Sequence, residues 1–404
     1  MLKHIKSSYF AKIIFSFVDE QKKLEIIKYN RNLQKQVDIN INNYKIFCGK
    51  YIVIETKGKE YNIFNNELLF KGAYLNGKRN GKGKEYKNGE LIFEGEYLNG
   101  KRNGKGKEYG LNGKVIFEGE YINGVRWTGK VFNLFNNKIY ELNNGKGSIS
   151  EYNEITEESF EGEYINGERN GKGKEYYNNK NLLFEGDYLN GKRWKGKGYD
   201  IKNNIIYELN EGKGKVKEFF INGELKFEGE YINGERNGKG REYYYNNQIL
   251  FEGEYLKGKR NGKGKEYIGR FSDLKFEGEY LYGHKIKGKY YIKGNLEYDG
   301  EFLFDKKWNG KGYDKNGNII YELINGTGKV NEYNDDYGEL IFVGEYLNGK
   351  RNGKGEEYDI INDDLSFIGE YKNDKRWNGK GIEFNKYGEI IFEGEYLNGK
   401  KLEK

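Results

Sequence analysis

Two glutamates flank a single glycine many times along this chain: Glu94 and Glu96 around Gly95, Glu118 and Glu120 around Gly119, Glu228 and Glu230 around Gly229, Glu252 and Glu254 around Gly253. Paired carboxylates are the residue types of general acid–base work. Residues two apart on a strand share a face, however, and a dozen such copies on an open strand cannot each be one tuned site. Lysines such as Lys105 and Lys107 are expected across the sheet from Glu94 and Glu96, so charge pairing between strands is the chemistry the pattern predicts.

Other catalytic patterns fail on their own terms. Gly191-Lys-Arg-Trp-Lys-Gly196-Lys197 has the spacing of a phosphate-binding loop, but Gly198 stands where Ser or Thr is needed. The segment also links two expected strands, and such a loop needs a following helix to aim its amides. His4, His284 and Cys48 are the only histidines and the only cysteine, too few for a zinc site built of His and Cys. No Ser-His-Asp or Cys-His arrangement is present. The sequence reads as a non-enzymatic protein with no cofactor and no metal.

The elements behind these residues are repeats. Phe-Glu-Gly-Glu-Tyr recurs at Phe93–Tyr97, Phe117–Tyr121, Phe160–Tyr164, Phe227–Tyr231, Phe251–Tyr255, Phe276–Tyr280 and Phe392–Tyr396. Three longer gaps hold shortened copies centred on Tyr140, Tyr207 and Tyr321. About fifteen units result, from roughly residue 68 onward. In one full unit, Phe93, Gly95 and Tyr97 alternate with Ile92, Glu94 and Glu96, which is strand periodicity. Asn99-Gly100 is a hairpin turn, because that pair tolerates positive φ. Lys105 to Tyr109 returns as the second strand. Aromatic rings stacked from unit to unit, Phe93 near Phe70 and Phe117, would hold one long sheet without a second layer, the glycines leaving room for them. The composition agrees: 59 Gly, no Pro, 38 Tyr and 24 Phe, with only 36% hydrophobic residues. Disordered chains are poor in aromatics, and this one is 16% aromatic.

Tyr97-Leu-Asn-Gly-Lys-Arg-Asn-Gly-Lys-Gly-Lys-Glu-Tyr109 and its copies resemble MORN repeats, including the variant found in bacterial antitoxin-like proteins. The resemblance implies an all-β repeat fold, an elongated single-layer antiparallel β-meander of stacked hairpins, acting as a scaffold, a protein-binding surface or a phospholipid-associated module. The expected layout is a helical cap over 1–45, a transition into the sheet over 46–67, and the array over 68–404.

Residues Phe10 to Val37 show helical spacing, with Ile13, Ile14, Phe17, Leu24, Ile27, Leu33 and Val37 on a common pattern and Asp19 and Glu20 placed to open a second helix. Ile13-Ile-Phe-Ser-Phe-Val-Asp19 followed by Leu24-Glu-Ile-Ile27 also resembles an F-box, without its Leu-Pro opening. That resemblance implies an alternative function, a ubiquitin-ligase substrate adaptor with the array as receptor. The apolar run Ile13–Val18 is too short for a signal peptide core and meets charges at once. With a single cysteine, the chain is expected in the cytoplasm, or peripherally on the cytoplasmic face of a membrane.

Net charge is +7. The expected binding surface is a basic ridge at the hairpin turns, formed by Lys78 and Arg79, Lys101 and Arg102, Lys192 and Arg193, Lys259 and Arg260, and Lys350 and Arg351. Such a ridge suits an anionic phospholipid face, or serves as a solvated edge that blocks sheet-to-sheet pairing. Trp127, Trp194, Trp308 and Trp377 share one repeat position; they either fill a bend where register resets or form a row of exposed anchors for a protein partner or a membrane. Nucleic acid is disfavoured, because glutamates interrupt the ridge and no aromatics interleave with it.

Overall fold

The computed structural model describes residues 24, 26–27, 30–36, 50–54, 58–62, 65, 67–154, 156–177, 181–268, 273–303, 305–360, 364–385 and 388–402. The chain divides into two compact units, Met1–Lys71 and Gly72–Lys404.

In the first unit a short helix, Arg31–Gln36, falls inside the predicted helical stretch. Asn30 caps it, its Oδ1 accepting from the Leu33 N–H at 3.1 Å. Leu24, Ile27 and Leu33 are buried. The strands Lys50–Ile54 and Gly58–Asn62 pair antiparallel. The F-box-like residues Ile13 to Asp19, together with His4, Val37 and Cys48, lie outside the described residues.

The second unit is a meander of antiparallel hairpins in strict sequence order. Strands touch their neighbours in sequence and little else, so the array is one layer thick. In the unit Glu90–Leu98 and Lys101–Tyr109, Asn99 and Gly100 both have positive φ, 51° and 89°, as a tight hairpin turn requires. Phe93 pairs with Glu108, Glu94 with Lys107 and Gly95 with Gly106.

Phe93 is fully buried in this single layer. Its floor is the backbone of Gly95 and Gly106: a Cβ on either would stand 2.7 or 2.6 Å from the Phe93 Cζ. Its walls are Tyr97 of its own unit and Tyr121 of the next, both edge-on, at 5.6 and 5.2 Å between ring centres. Tyr121 in turn meets Phe117 at 5.2 Å. The predicted aromatic stripe is therefore a Phe–Tyr–Phe–Tyr zigzag, with a tyrosine between successive phenylalanines. Each contact adds roughly 0.5–1.5 kcal/mol beyond burial.

The single long sheet expected from the sequence is divided. Breaks fall inside the three short units, between Lys138–Leu142 and Gly147–Asn153, between Ile205–Leu209 and Gly214–Phe219, and between Ile319–Leu323 and Gly328–Tyr333. Each of these hairpins keeps only an isolated bridge beside its turn, such as Asn143 with Lys146. The positions that are glycine in full units are Leu142 and Ile149, Leu209 and Val216, Leu323 and Val330, all buried. These aliphatic pairs fill the space that opens where two strands part, so the short units are packed joints.

Candidate binding surface

The aromatic face carries a ladder of charge in three runs. Glu85 pairs with Arg79 at 2.7 Å and Arg102 at 2.6 Å, and Arg102 reaches on to Glu108 at 2.8 Å. Glu108 also takes Arg126, which crosses the first short unit to Glu151 at 2.6 Å. Arg169 links Glu151 and Glu175 at 3.2 and 3.0 Å, and Glu175 takes Arg193. A second run connects Glu218, Arg236, Glu242, Arg260, Glu266 and Lys285, and a third connects Glu332, Arg351, Glu357 and Arg376.

Tyrosine hydroxyls complete the ladder: Tyr97 donates to Glu85 at 2.7 Å and Tyr121 to Glu108 at 2.8 Å. Burial alone would raise these carboxyls. Arg102 and Tyr97 nevertheless hold Glu85 below the usual carboxylate range, Arg126 holds Glu108 there, and Arg126 with Arg169 holds Glu151. Burial and the neighbouring carboxylates push the Tyr97 and Tyr121 hydroxyls well above their ordinary value.

The two members of each predicted basic pair therefore have different positions. Arg79, Arg102, Arg193, Arg260 and Arg351 are half-buried in the ladder and lie against aromatic rings. Lys78, Lys101 and Lys259 are exposed at the hairpin tips, Lys350 is half-buried, and Lys192 pairs with Glu235 at 3.1 Å. The equivalent tip position is Val125, Glu168 and Glu235 in other units, so the ridge is interrupted. The ladder was missed at the sequence level, although its signal was there: a glutamate precedes the last tyrosine of each full unit, as at Glu85 and Glu108, in step with the tip arginines.

The tryptophans sit at bulges. In full units such as the one at Phe93, Asn103 and Gly104 are the extra residues between Arg102 and the Gly95–Gly106 pair, and Gly104 has φ 96°. In the units of Trp127, Trp194, Trp308 and Trp377 one extra residue suffices, and it is the tryptophan. Each tryptophan carbonyl accepts the N–H of the next turn glycine, Gly145, Gly212, Gly326 and Gly399, at 2.6–2.9 Å. The rings of Trp127 and Trp308 lie so close to Gly145 and Gly326 that a Cβ there would come within 2.9 and 2.7 Å. All four are half-buried.

The opposite face carries glutamate and lysine in cross-strand pairs. Lys84 meets Glu94 at 2.9 Å and Lys107 meets Glu118 at 3.0 Å. Glu96 instead bends back to accept the Lys105 N–H at 3.1 Å. A cavity of about 470 Å³ at the first joint is lined by Arg126, Glu151, Arg169 and Glu175, which are spent on one another. Gly198 of the rejected phosphate-loop pattern lies in the strand Lys192–Tyr199, where a Cβ would stand 2.0 Å from the Tyr207 ring. Among the described residues, no three His, Cys, Asp or Glu side chains gather as metal ligands.

Such a face-differentiated, one-layer array of hairpins belongs to the class of repeat scaffolds. The MORN repeat family matches residues 70–90, 93–115, 160–182, 227–249, 251–270 and 342–359, so the chain carries six MORN repeats. MORN repeats are in general non-enzymatic modules that mediate protein or membrane-lipid interactions. No curated protein matches the chain. Among solved structures, a point mutant of S. aureus TarM in complex with Fondaparinux, alpha-GlcNAc-glycerol and UDP is 15% identical over 38% of this chain and 26% of that chain, with a TM-score of 0.18. The dihydro-heme d1 dehydrogenase NirN in complex with DHE is 10% identical over 87% and 74%, also at 0.18. The chain thus spans about a quarter of the TarM chain, and no activity is carried over from either protein.

Proposed function

We propose that this protein is a non-catalytic scaffold in the cytoplasm that presents its hairpin-tip edge to a protein partner or to the anionic cytoplasmic face of a membrane. One observation carries the reading: at the mouths of five hairpins along the array a leucine and a lysine stand directly opposite each other. Leu98 pairs with Lys101, Leu189 with Lys192, Leu256 with Lys259, Leu347 with Lys350 and Leu397 with Lys400. The leucines are exposed, Leu98 at 51% and Leu347 at 45%. Apolar tips beside ammonium groups suit a surface that offers both acyl chain and negative charge, and each basic residue near anionic lipid is worth about 1 kcal/mol.

Flotation of the full chain with phosphatidylserine and phosphoinositide vesicles tests the membrane branch. Binding that falls with salt, and that is lost when Leu98, Leu256 and Leu347 become Ser and Lys101, Lys259 and Lys350 become Gln, is the expected result. No flotation at low salt would leave only the protein-partner branch.

A further inference from the structure

A trench runs across the ten-stranded stretch from Gly214–Phe219 to Ile319–Leu323, on the glutamate face. Its volume is about 1050 Å³ and its floor is bare backbone: Gly229, Gly240, Gly253, Gly264, Gly278 and Gly288 are paired in register on six successive strands. Long charged side chains wall it on both sides.

The two walls differ. On the wall away from the tips, charges neutralise one another: Arg241 pairs with Glu252 at 3.3 Å and Lys265 with Glu277 at 3.5 Å. On the tip-side wall, the glutamates turn to other partners. Glu254 accepts the Lys263 N–H at 3.2 Å, and Glu230 folds over the bulge glycine Gly238. Lys215, Lys239, Lys263 and Lys287 of that wall are exposed, and their ammonium groups have no ion pair among the described residues. Glu279 stands directly across from both of the last two, with no ion pair to either among the described residues. The result is a file of four lysines without ion pairs, one per repeat unit, alternating with carboxylates that are turned aside toward neutral N–H donors or stand unpaired.

Strands lie about 4.8 Å apart, so charges on every second strand repeat at roughly 9.6 Å, while an extended peptide advances about 3.3 Å per residue. We propose that the trench binds an extended acidic polypeptide laid across the strands, with a carboxylate at every third residue meeting Lys215, Lys239, Lys263 and Lys287 in turn. The glycine floor lets that backbone lie close to the sheet. This rests on the binding-scaffold reading above and names the partner of a second part of the same array.

The probe is a labelled twelve-residue peptide with Glu at every third position and Ser or Gly between. It is titrated into the full chain at low salt and compared with a peptide of the same composition whose four glutamates are contiguous. The expected result is preference for the spaced peptide, with affinity weakened roughly tenfold or more by Lys215→Gln, Lys239→Gln, Lys263→Gln and Lys287→Gln together, as loss of complementary charge predicts. The control Lys84→Gln, on the same face but outside the trench, should leave binding unchanged, and circular dichroism should show all variants folded. Equal affinity for both peptides, unchanged binding by the fourfold variant, or tighter trench-dependent binding of a single-stranded oligonucleotide or of anionic vesicles would overturn the proposal. The tip substitutions used in flotation lie outside the trench, so the two readings fail separately.

Discussion

The guanidinium carbon of Arg102 lies 4.0 Å from the centre of the Phe93 ring, closing the box in which that ring is buried. Its counterpart Arg126 stands 5.1 Å from Phe117. The difference follows the bulge. Units with the two-residue Asn-Gly bulge place arginine at 4.0–4.2 Å, as for Arg169, Arg236, Arg260 and Arg351, while the tryptophan units of Arg193 and Arg376 place it at 5.1–5.2 Å. Bulge length thus sets how tightly the cation covers the ring.

Arg102→Gln should therefore destabilise the array by about 3 kcal/mol, because it strips a half-buried cation from two carboxylates as well as uncovering a ring. Arg102→Lys should cost less, about 1 kcal/mol, since it keeps the charge but loses the fork. The chain itself accommodates Lys285 at the same position, 5.3 Å from Phe276. Urea unfolding of the three proteins measures both differences, and equal midpoints would show that the ladder contributes nothing.

Gly95→Ala should be severe. The added Cβ would lie 2.7 Å from the Gly106 Cα, the Lys105 carbonyl oxygen and the Phe93 Cζ, so backbone or ring must move. Overpacking of this kind costs typically 1–3 kcal/mol, and here no flexible group can yield. Gly77→Ala meets nothing within 4 Å and carries only the strain of φ 71°, about 1–2 kcal/mol. A thermal shift larger for Gly95→Ala than for Gly77→Ala is the expected order.

Much of this was legible in the sequence because a period-two pattern repeated many times leaves little freedom of register: the hairpins, the Asn-Gly turns, the inward Phe and Tyr and the Glu–Lys face all follow from it. The joints were less legible. Their cue was Leu209 and Val216 standing where glycine stands elsewhere, a substitution that has meaning only once Phe93 is seen lying on Gly95 and Gly106. The double role of the tip pairs was hidden for a related reason. Lys101 and Arg102 are adjacent in sequence, yet alternation sends one to solvent and the other over a ring.

Stability should fall in acid. Glu85, Glu108, Glu151, Glu175 and Glu218 are all held below the ordinary carboxylate value by arginines that outweigh burial. Groups depressed on folding stabilise above their unfolded value, about 4.3, and that contribution disappears as pH drops through the folded values. Glu158, raised by burial and by Glu175, acts in the opposite sense but is a single group. At the alkaline end Tyr109 is pushed up to about 12 by burial and by Glu94. Its stabilisation is intact below about 10 and is lost as pH climbs through the folded value. Melting temperature should be level between about pH 6 and 9 and decline on both sides; a level profile down to pH 3 would contradict the ladder.

Leu209→Ala tests the joints. Leu209 is 3% exposed and lies where the strand Ile205–Leu209 parts from Gly214–Phe219, so truncation opens a cavity with few neighbours able to collapse into it. Leucine-to-alanine changes at buried sites cost about 2–5 kcal/mol. In an array whose units contact only their neighbours, that loss should stay local. Hydrogen exchange followed by mass spectrometry should show faster exchange in peptides covering Ile205 to Phe219, with peptides covering Glu90 to Tyr109 unchanged. Uniform acceleration along the chain would mean that the short units transmit strain across the array instead of dividing it.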